Sequence, residues 1–363
     1  MLKTRTTIQG GTGNAMFSDR IEGKWIASFA RLFELSGVAA GDEVVIVSET
    51  QSRQLNVHLS ELALVQLGAR PLHVVLTTPA QSAPVPIRST GTTAAIAHSV
   101  PALAALSFGG LVVDCTLEGM LHAPELPTIL KAGSRVVMVS NEHPDILERV
   151  GHDEGLKERV KAGMKMMRGA KEMRVTSEAG TDLTIRMEGA VVGGGWGYTT
   201  TPGTITNWPG GLCLAFPARG TVNGSLVLAK GDQNLTFKRT MEDEVRLTFE
   251  NDYIRAIEGD HMDGDLLREY IAVWNEEDAY AISHVGWGMN HRAQWSAMEL
   301  YDKSDHNGTE QRVFAGNFLF STGANEVAKR FTLGHFDLPM RNCSVSLDGK
   351  EVVVKGKLVE ALA

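Results

Sequence analysis

The chain has few cysteines, no long apolar run and no excess of basic charge, and each shortage removes a class of function. Cys115, Cys213 and Cys343 are odd in number, widely spaced and part of no CxxC or His/Cys cluster, so they suggest neither a disulfide framework nor a zinc knuckle. Reduced, inert thiols are expected. No uninterrupted apolar stretch is long enough to span a bilayer, and the opening MLKTRTTIQGGTGNAMFSDR lacks the apolar segment of a secretory signal. A cytoplasmic protein without a membrane partner is expected, so the Asn-x-Ser/Thr triplets at Asn223, Asn234, Asn307 and Asn342 carry no glycosylation role. Acidic residues outnumber basic ones 43 to 35, a net charge of −8, which argues against a surface built for phosphate backbones. Nucleic acid is not an expected partner. Nucleotide fingerprints are missing too: Gly10, Gly11 and Gly13 follow no strand, and Gly193 to Gly195 lie in a strand-rich region rather than at a strand-to-helix turn.

What is present fits a soluble globular chain of two domains: 363 residues, 43% hydrophobic and 21% charged, with both signs spread along the length. The first half alternates β-branched runs with helical stretches. Val44 to Val47, His73 to Leu76, Leu111 to Val113 and Arg135 to Val139 read as strands, and Lys24 to Leu35 and Arg53 to Leu67 repeat apolar residues at three- and four-residue steps. That alternation predicts a parallel sheet with crossover helices. From about Arg174 the rhythm changes to strands joined by Gly, Asp and Asn turns, which predicts a mostly antiparallel α+β domain interrupted by one helix near Gly264 to Asn275. The basic helix KERVKAGMKMMRGAK marks the boundary, giving an N-terminal α/β domain over 1–168 and a C-terminal metal-binding domain over 169–363.

Of eleven histidines, His58, His98, His143, His152 and His306 sit in polar or helical contexts and read as surface or packing residues. His335 and Asp337 stand apart, because an H-x-D pair in an extended segment turns an imidazole and a carboxylate to one face. AISHVGWG offers a third ligand in His284, followed by two glycines that permit close backbone approach. Two histidines and a carboxylate leave open positions on a metal, an arrangement used both by Fe(II) oxygenases and by zinc hydrolases.

The stretches ISHVGWGMNHRAQWSAMELYD, FAGNFLFSTGAN and GHFDLPMRNCSVSLDG, with LHAPELPTILKAGSRV and AGTDLT, closely resemble the bacterial 2,5-dihydroxypyridine 5,6-dioxygenases. The resemblance runs from about residue 110 to the C-terminus and implies one Fe(II) held by His284, His335 and Asp337 in a fold similar to the aminopeptidase T group. It implies cleavage between ring carbons 5 and 6 to N-formylmaleamate, with a small aromatic and dioxygen as the partners of the site; a homo-oligomer is expected. His122 matches a family histidine at the substrate, with capping of the helix near Pro124 as the alternative. Arg312 and Ser321 match substrate-contacting residues, with a surface ion pair to Glu310 or Asp305 as the alternative for Arg312. Two departures matter. Asn207 stands where the family has a pocket histidine, which leaves another dihydroxypyridine isomer open as substrate. Leu212, in NWPGGL, stands where aminopeptidases carry a metal-binding glutamate, and His284 matches a second, so a two-metal peptidase lacks its carboxylates. A metal-dependent aminopeptidase and a non-catalytic binding protein remain the readings from other classes. Trp196, Tyr198, Trp208, Trp287 and Phe318 are candidates for pocket walls or for plain core.

Overall fold

The computed structural model describes residues 19–80, 84, 91–139 and 141–363; Gly10, Gly11 and Gly13 lie outside them. The strand-like runs of the first half pair in parallel, in the order Arg70–Leu76, Glu43–Glu49, Leu111–Asp114, Arg135–Val139, Ile205–Trp208. Both faces of the inner strands Glu43–Glu49, Leu111–Asp114 and Arg135–Val139 are covered, which explains their apolar runs. Val44, Ile46, Leu111, Val113, Val137 and Val139 join one core with Trp25, Phe29, Leu32 and Phe33 of the helix Gly23–Leu35. Val45, Val47, Val112 and Val136 point to the other side, against Leu106, Leu126 and Ile129.

The second half forms two large antiparallel sheets, one of eight strands and one of five, and a two-stranded ribbon of Gln233–Asn234 with Arg239–Thr240. The five-stranded sheet runs Phe336–Met340, Phe318–Thr322, Ile282–Gly288, Leu212–Phe216, Val191–Gly195. The two large sheets pack face to face. Val175, Leu183, Leu226 and Leu247 from the larger meet Cys213, Ala215, Val285, Trp287, Phe318 and Phe320 from the smaller. The period of two then turns Leu212, Leu214 and Phe216 away from this core and toward the N-terminal sheet. No helix among the described residues is long and apolar enough to cross a membrane.

The division expected at residue 168 is crossed in both directions. The helix Leu156–Gly169, though it precedes the boundary, packs on the C-terminal side, with Leu156, Val160 and Met167 in that core. The strand Ile205–Trp208, though it follows the boundary, becomes the fifth strand of the parallel sheet, where Val137 pairs with Thr206 and Met138 with Asn207. Pro209, Gly210 and Gly211 then carry the chain back to Leu212. A β-carbon on Gly210 would lie 2.0 Å from the Gly197 nitrogen, so only glycine allows this crossing. The three cysteines are free and buried, and burial pushes the Cys115 and Cys213 thiols up to about 12.

Candidate metal centre

A cavity of about 280 Å³ lies between the parallel sheet and the outward face of the five-stranded sheet. Its upper wall is built at the carboxyl ends of the parallel strands, by Asp114, Met138, Val139 and Asn207 with the loop Thr116 to His122. Its floor holds His284, His335 and Asp337, whose donor atoms all lie within 4.8 Å of one another.

Each floor residue is placed by a local feature of the sequence. Asp337 lies on the strand Phe336–Met340 and His335 just before it, and the H-x-D spacing brings His335 Nε2 to 3.3 Å from Asp337 Oδ1. His284 lies on the strand Ile282–Gly288, where Ile282 pairs with Thr322 but Val285 with Phe320. That shift places one extra residue on the histidine strand, and the irregularity re-aims His284 so that Nε2 sits 3.8 Å from the same carboxylate oxygen. The two glycines that follow allow the crowding expected of them. A β-carbon on Gly286 would meet the Cys213 carbonyl at 2.1 Å, and one on Gly288 the Phe314 carbonyl at 2.2 Å.

Asp337 is also held from behind. Arg312 Nε donates to its Oδ2 at 2.7 Å, and Ser321 Oγ, directly across the ladder, donates to Oδ1. Arg312 is fixed in turn. Its Nη1 donates to the Asn307 carbonyl at 2.8 Å, and Glu142 of the N-terminal domain accepts from the Asn307 and Thr309 amides at 2.6 and 2.8 Å. Arg149 forks onto Glu310 at 2.7 and 2.6 Å, tying the helix Thr309–Val313 to the helix Pro144–Val150. The surface pairing of Arg312 with Glu310 or Asp305 is therefore overturned, since those carboxylates pair with Arg149 and Arg53 and Arg312 serves Asp337.

The electrostatics suit a cation. Burial opposes ionisation of Asp337, but Arg312, His335 and His284 outweigh it and hold the carboxyl well below its usual range. Burial pushes the His284 imidazole down to about 3, a displacement that Asp337 only partly offsets. A permanently ionised carboxylate beside a neutral imidazole presents lone pairs without a proton to expel. The donor set, two nitrogens and one oxygen on the wall of an open cavity, fits a single divalent metal of the iron or zinc kind.

The low value at His284 makes a pH prediction for the metal-free protein. The unfolded chain takes up a proton at this residue below about 6.5 and the folded one does not until about 3, so stability falls with acidification through that interval. At about pH 5 the penalty relative to neutral pH is about 2 kcal/mol. Urea melts of wild type and His284→Asn at the two pH values should differ by that amount in their acid sensitivity; identical sensitivity would show that His284 is not buried neutral. Asp337, whose carboxyl is held below its ordinary value of 3.8, loses its contribution only as pH falls below that value, under the pH of this comparison.

His122 lines the cavity with an imidazole 6% exposed, and its ring centroid lies 5.8 Å from that of His335. It does not cap a helix: the neighbouring helix is Leu126–Lys131, with Glu125 at its N-cap and no side-chain capping bond. The loop that delivers His122 is closed by Asp114, which accepts from the Thr116 amide, the Thr116 hydroxyl and the Met120 amide at 2.9, 2.6 and 2.9 Å. Burial lifts the Asp114 carboxyl to about 6 despite those bonds. Asn207 and Leu212 line the cavity as well.

The large aromatics do not wall it. Trp208, Trp287 and Phe318 are fully buried core, while Trp196 and Tyr198 pack under Lys157. The aromatic at the site is Phe216, which meets the His284 ring edge-on at 5.5 Å and which sequence reasoning missed. Alternation from Leu212 could have found it, because every second residue of LCLAF faces the cavity. Glu326 was missed as well: it approaches His122 Nδ1 at 3.3 Å from the opposite domain.

Residues 24–360 match the family model described as 2,5-dihydroxypyridine 5,6-dioxygenase. A curated relative of that name from Pseudomonas putida KT2440 is 35% identical over 337 residues, covering 91% of this chain and 95% of the relative. The solved structure of the 2,5-dihydroxypyridine dioxygenase from Pseudomonas putida KT2440 superimposes with a TM-score of 0.89 at 33% identity, over 96% of this chain and all of the other. AmpT from Thermus thermophilus shares the fold at 14% identity, with a TM-score of 0.61 over 92% of this chain and 99% of that one. With both domains and the floor of the cavity inside the matched span, the chain belongs to the 2,5-dihydroxypyridine 5,6-dioxygenase family.

Proposed function

We propose that this chain is an Fe(II)-dependent dioxygenase that opens 2,5-dihydroxypyridine between ring carbons 5 and 6 to N-formylmaleamate, with one iron per chain on His284, His335 and Asp337. The observation that carries the reading is the three-donor floor of the cavity in a member of this family, with Leu212 lining the wall where a peptidase would need a carboxylate. A two-metal hydrolase needs several bridging and terminal carboxylates, and here Asp337 is the one carboxylate in the cluster. Iron(II) bound there supplies the redox chemistry that lets dioxygen react with an electron-rich ring. The overall conversion adds both atoms of O2 to the substrate and needs no external reductant.

The chain's own residues do the rest. His122 borders the cavity beside His335, where it takes the proton that the substrate hydroxyl must lose and returns it as charge moves off the ring. Ser321 and Arg312 hold the Asp337 carboxylate in one orientation, and Arg312 also lines the cavity, where its cation favours an anionic hydroxypyridine. Phe216 and Leu214 give the flat ring an apolar surface. Asn207 hydrogen-bonds a ring substituent without exchanging a proton at neutral pH, and this favours testing other dihydroxypyridine isomers beside the 2,5 compound.

The test is anaerobic purification with metal analysis, then oxygen uptake on 2,5-dihydroxypyridine and its isomers. One iron per chain, with one O2 consumed per ring opened, is the expected result. Peptide hydrolysis without oxygen uptake overturns the reading in favour of an aminopeptidase.

A further inference from the structure

Glu326 is a polar group at the edge of the site that the reading above leaves without a task. It begins the 3₁₀ turn Glu326–Ala328, and this turn is pinned from both ends. On one side Asn325, fully buried, caps the turn through Ala328 and donates to the carbonyls of Pro217 and Ser283 at 2.9 and 3.0 Å. Ser283 is the chain neighbour of His284. On the other side buried Arg330 donates to Asp252 Oδ2 at 2.7 Å and to the Ile282 carbonyl at 2.8 Å. The turn is thus bolted to the strand that carries a metal ligand, while its glutamate reaches the other domain, where Oε1 lies 3.3 Å from His122 Nδ1.

A carboxylate accepts and does not donate, so the hydrogen shared by this pair sits on His122 Nδ1. The tautomer that this pairing selects has Nε2 as its lone-pair nitrogen, the form a proton acceptor requires. We propose that Glu326 is a positioning residue for ring cleavage: it fixes the orientation and tautomer of His122 by accepting its Nδ1–H across the domain interface. The logic is that of a carboxylate behind a catalytic imidazole. A stabilising role is a poor alternative, because the glutamate side chain is 51% exposed and exposed pairs contribute little to folding.

The inference rests on the proton-transfer role of His122 in the proposed function, and two measurements separate the fates of the two ideas. In ring-¹⁵N spectra of zinc-loaded protein in alkaline buffer, with the His122 signals identified by their loss in His122→Gln, wild type should show His122 protonated at Nδ1, and Glu326→Ala should move the proton to Nε2. A wild-type Nε2–H tautomer, or no change in the variant, overturns the proposal whether or not the enzyme turns over. In steady-state kinetics of the iron enzyme, Glu326→Ala should lower kcat roughly tenfold to a hundredfold, with KM and iron content little changed. Glu326→Gln, which keeps an acceptor oxygen, should lose less. The double variant His122→Ala/Glu326→Ala should be no slower than His122→Ala alone, because the glutamate acts through the histidine. Multiplying losses overturn the proposal. A tautomer that shifts as expected in a protein without dioxygenase activity refutes the functional reading and leaves the positioning role standing.

Discussion

Alanine at position 335 should strip the iron and stop turnover together. His335 supplies one of only three donor atoms at the centre, and its ring is already within 3.3 Å of the carboxylate that shares the site. With two donors left, a divalent ion is held no better than at many surface pairs, and the bound form is lost on dialysis. The fold should survive, since the imidazole is removed from a cavity wall and the strand Phe336–Met340 keeps its ladder with Phe318–Thr322. Metal content and oxygen uptake measured on the same preparation check this; wild-type iron with wild-type activity in His335→Ala overturns the ligand assignment.

His122→Ala should separate metal from chemistry. The residue is not among the three donors and its loop is anchored by Asp114, so iron content should match wild type. A positioned acid or base contributes about two to four orders of magnitude, and turnover should fall by that much. Asn207 offers no relief, because an amide cannot take up the proton. His122→Gln should keep the hydrogen-bonding outline of the ring and lose the proton transfer, so its rate should lie near that of alanine rather than midway to wild type. Near-normal rates in both variants would mean that the substrate proton leaves by another route.

The parts of this molecule written in local patterns were legible. Four parallel strands were legible as β-branched runs, and in the inner ones, Glu43–Glu49, Leu111–Asp114 and Arg135–Val139, burial on both faces accounts for the apolar run. The H-x-D pair was legible because the period of two turns both side chains to one face, and His284, His335 and Asp337 do converge. What was not legible depends on distant partners. Ile205–Trp208 is four residues long and sits among antiparallel strands in the sequence, yet its partner is Arg135–Val139. Nothing in ITNW records that choice. The orientation of His284 depends on a register shift against Phe318–Thr322, and Glu326 reads locally as an ordinary solvent-facing charge on a short turn. The indoles were open between pocket wall and core, and Trp208 and Trp287 fill the two cores.

The strand Ile205–Trp208 also constrains how such a chain can be inherited. A gene fragment ending at residue 168 would encode a parallel sheet whose last strand, Arg135–Val139, has no neighbour on one side. Its free amides and carbonyls would run beside Val136, Val137, Met138 and Val139, an apolar edge of the kind that pairs with any other extended chain. The complementary fragment would carry an orphan strand and no sheet to receive it. Recombination cannot exchange the half that carries His284, His335 and Asp337 as a cassette unless the incoming segment brings a strand cut to the recipient's sheet, so the two halves are transmitted together or not at all.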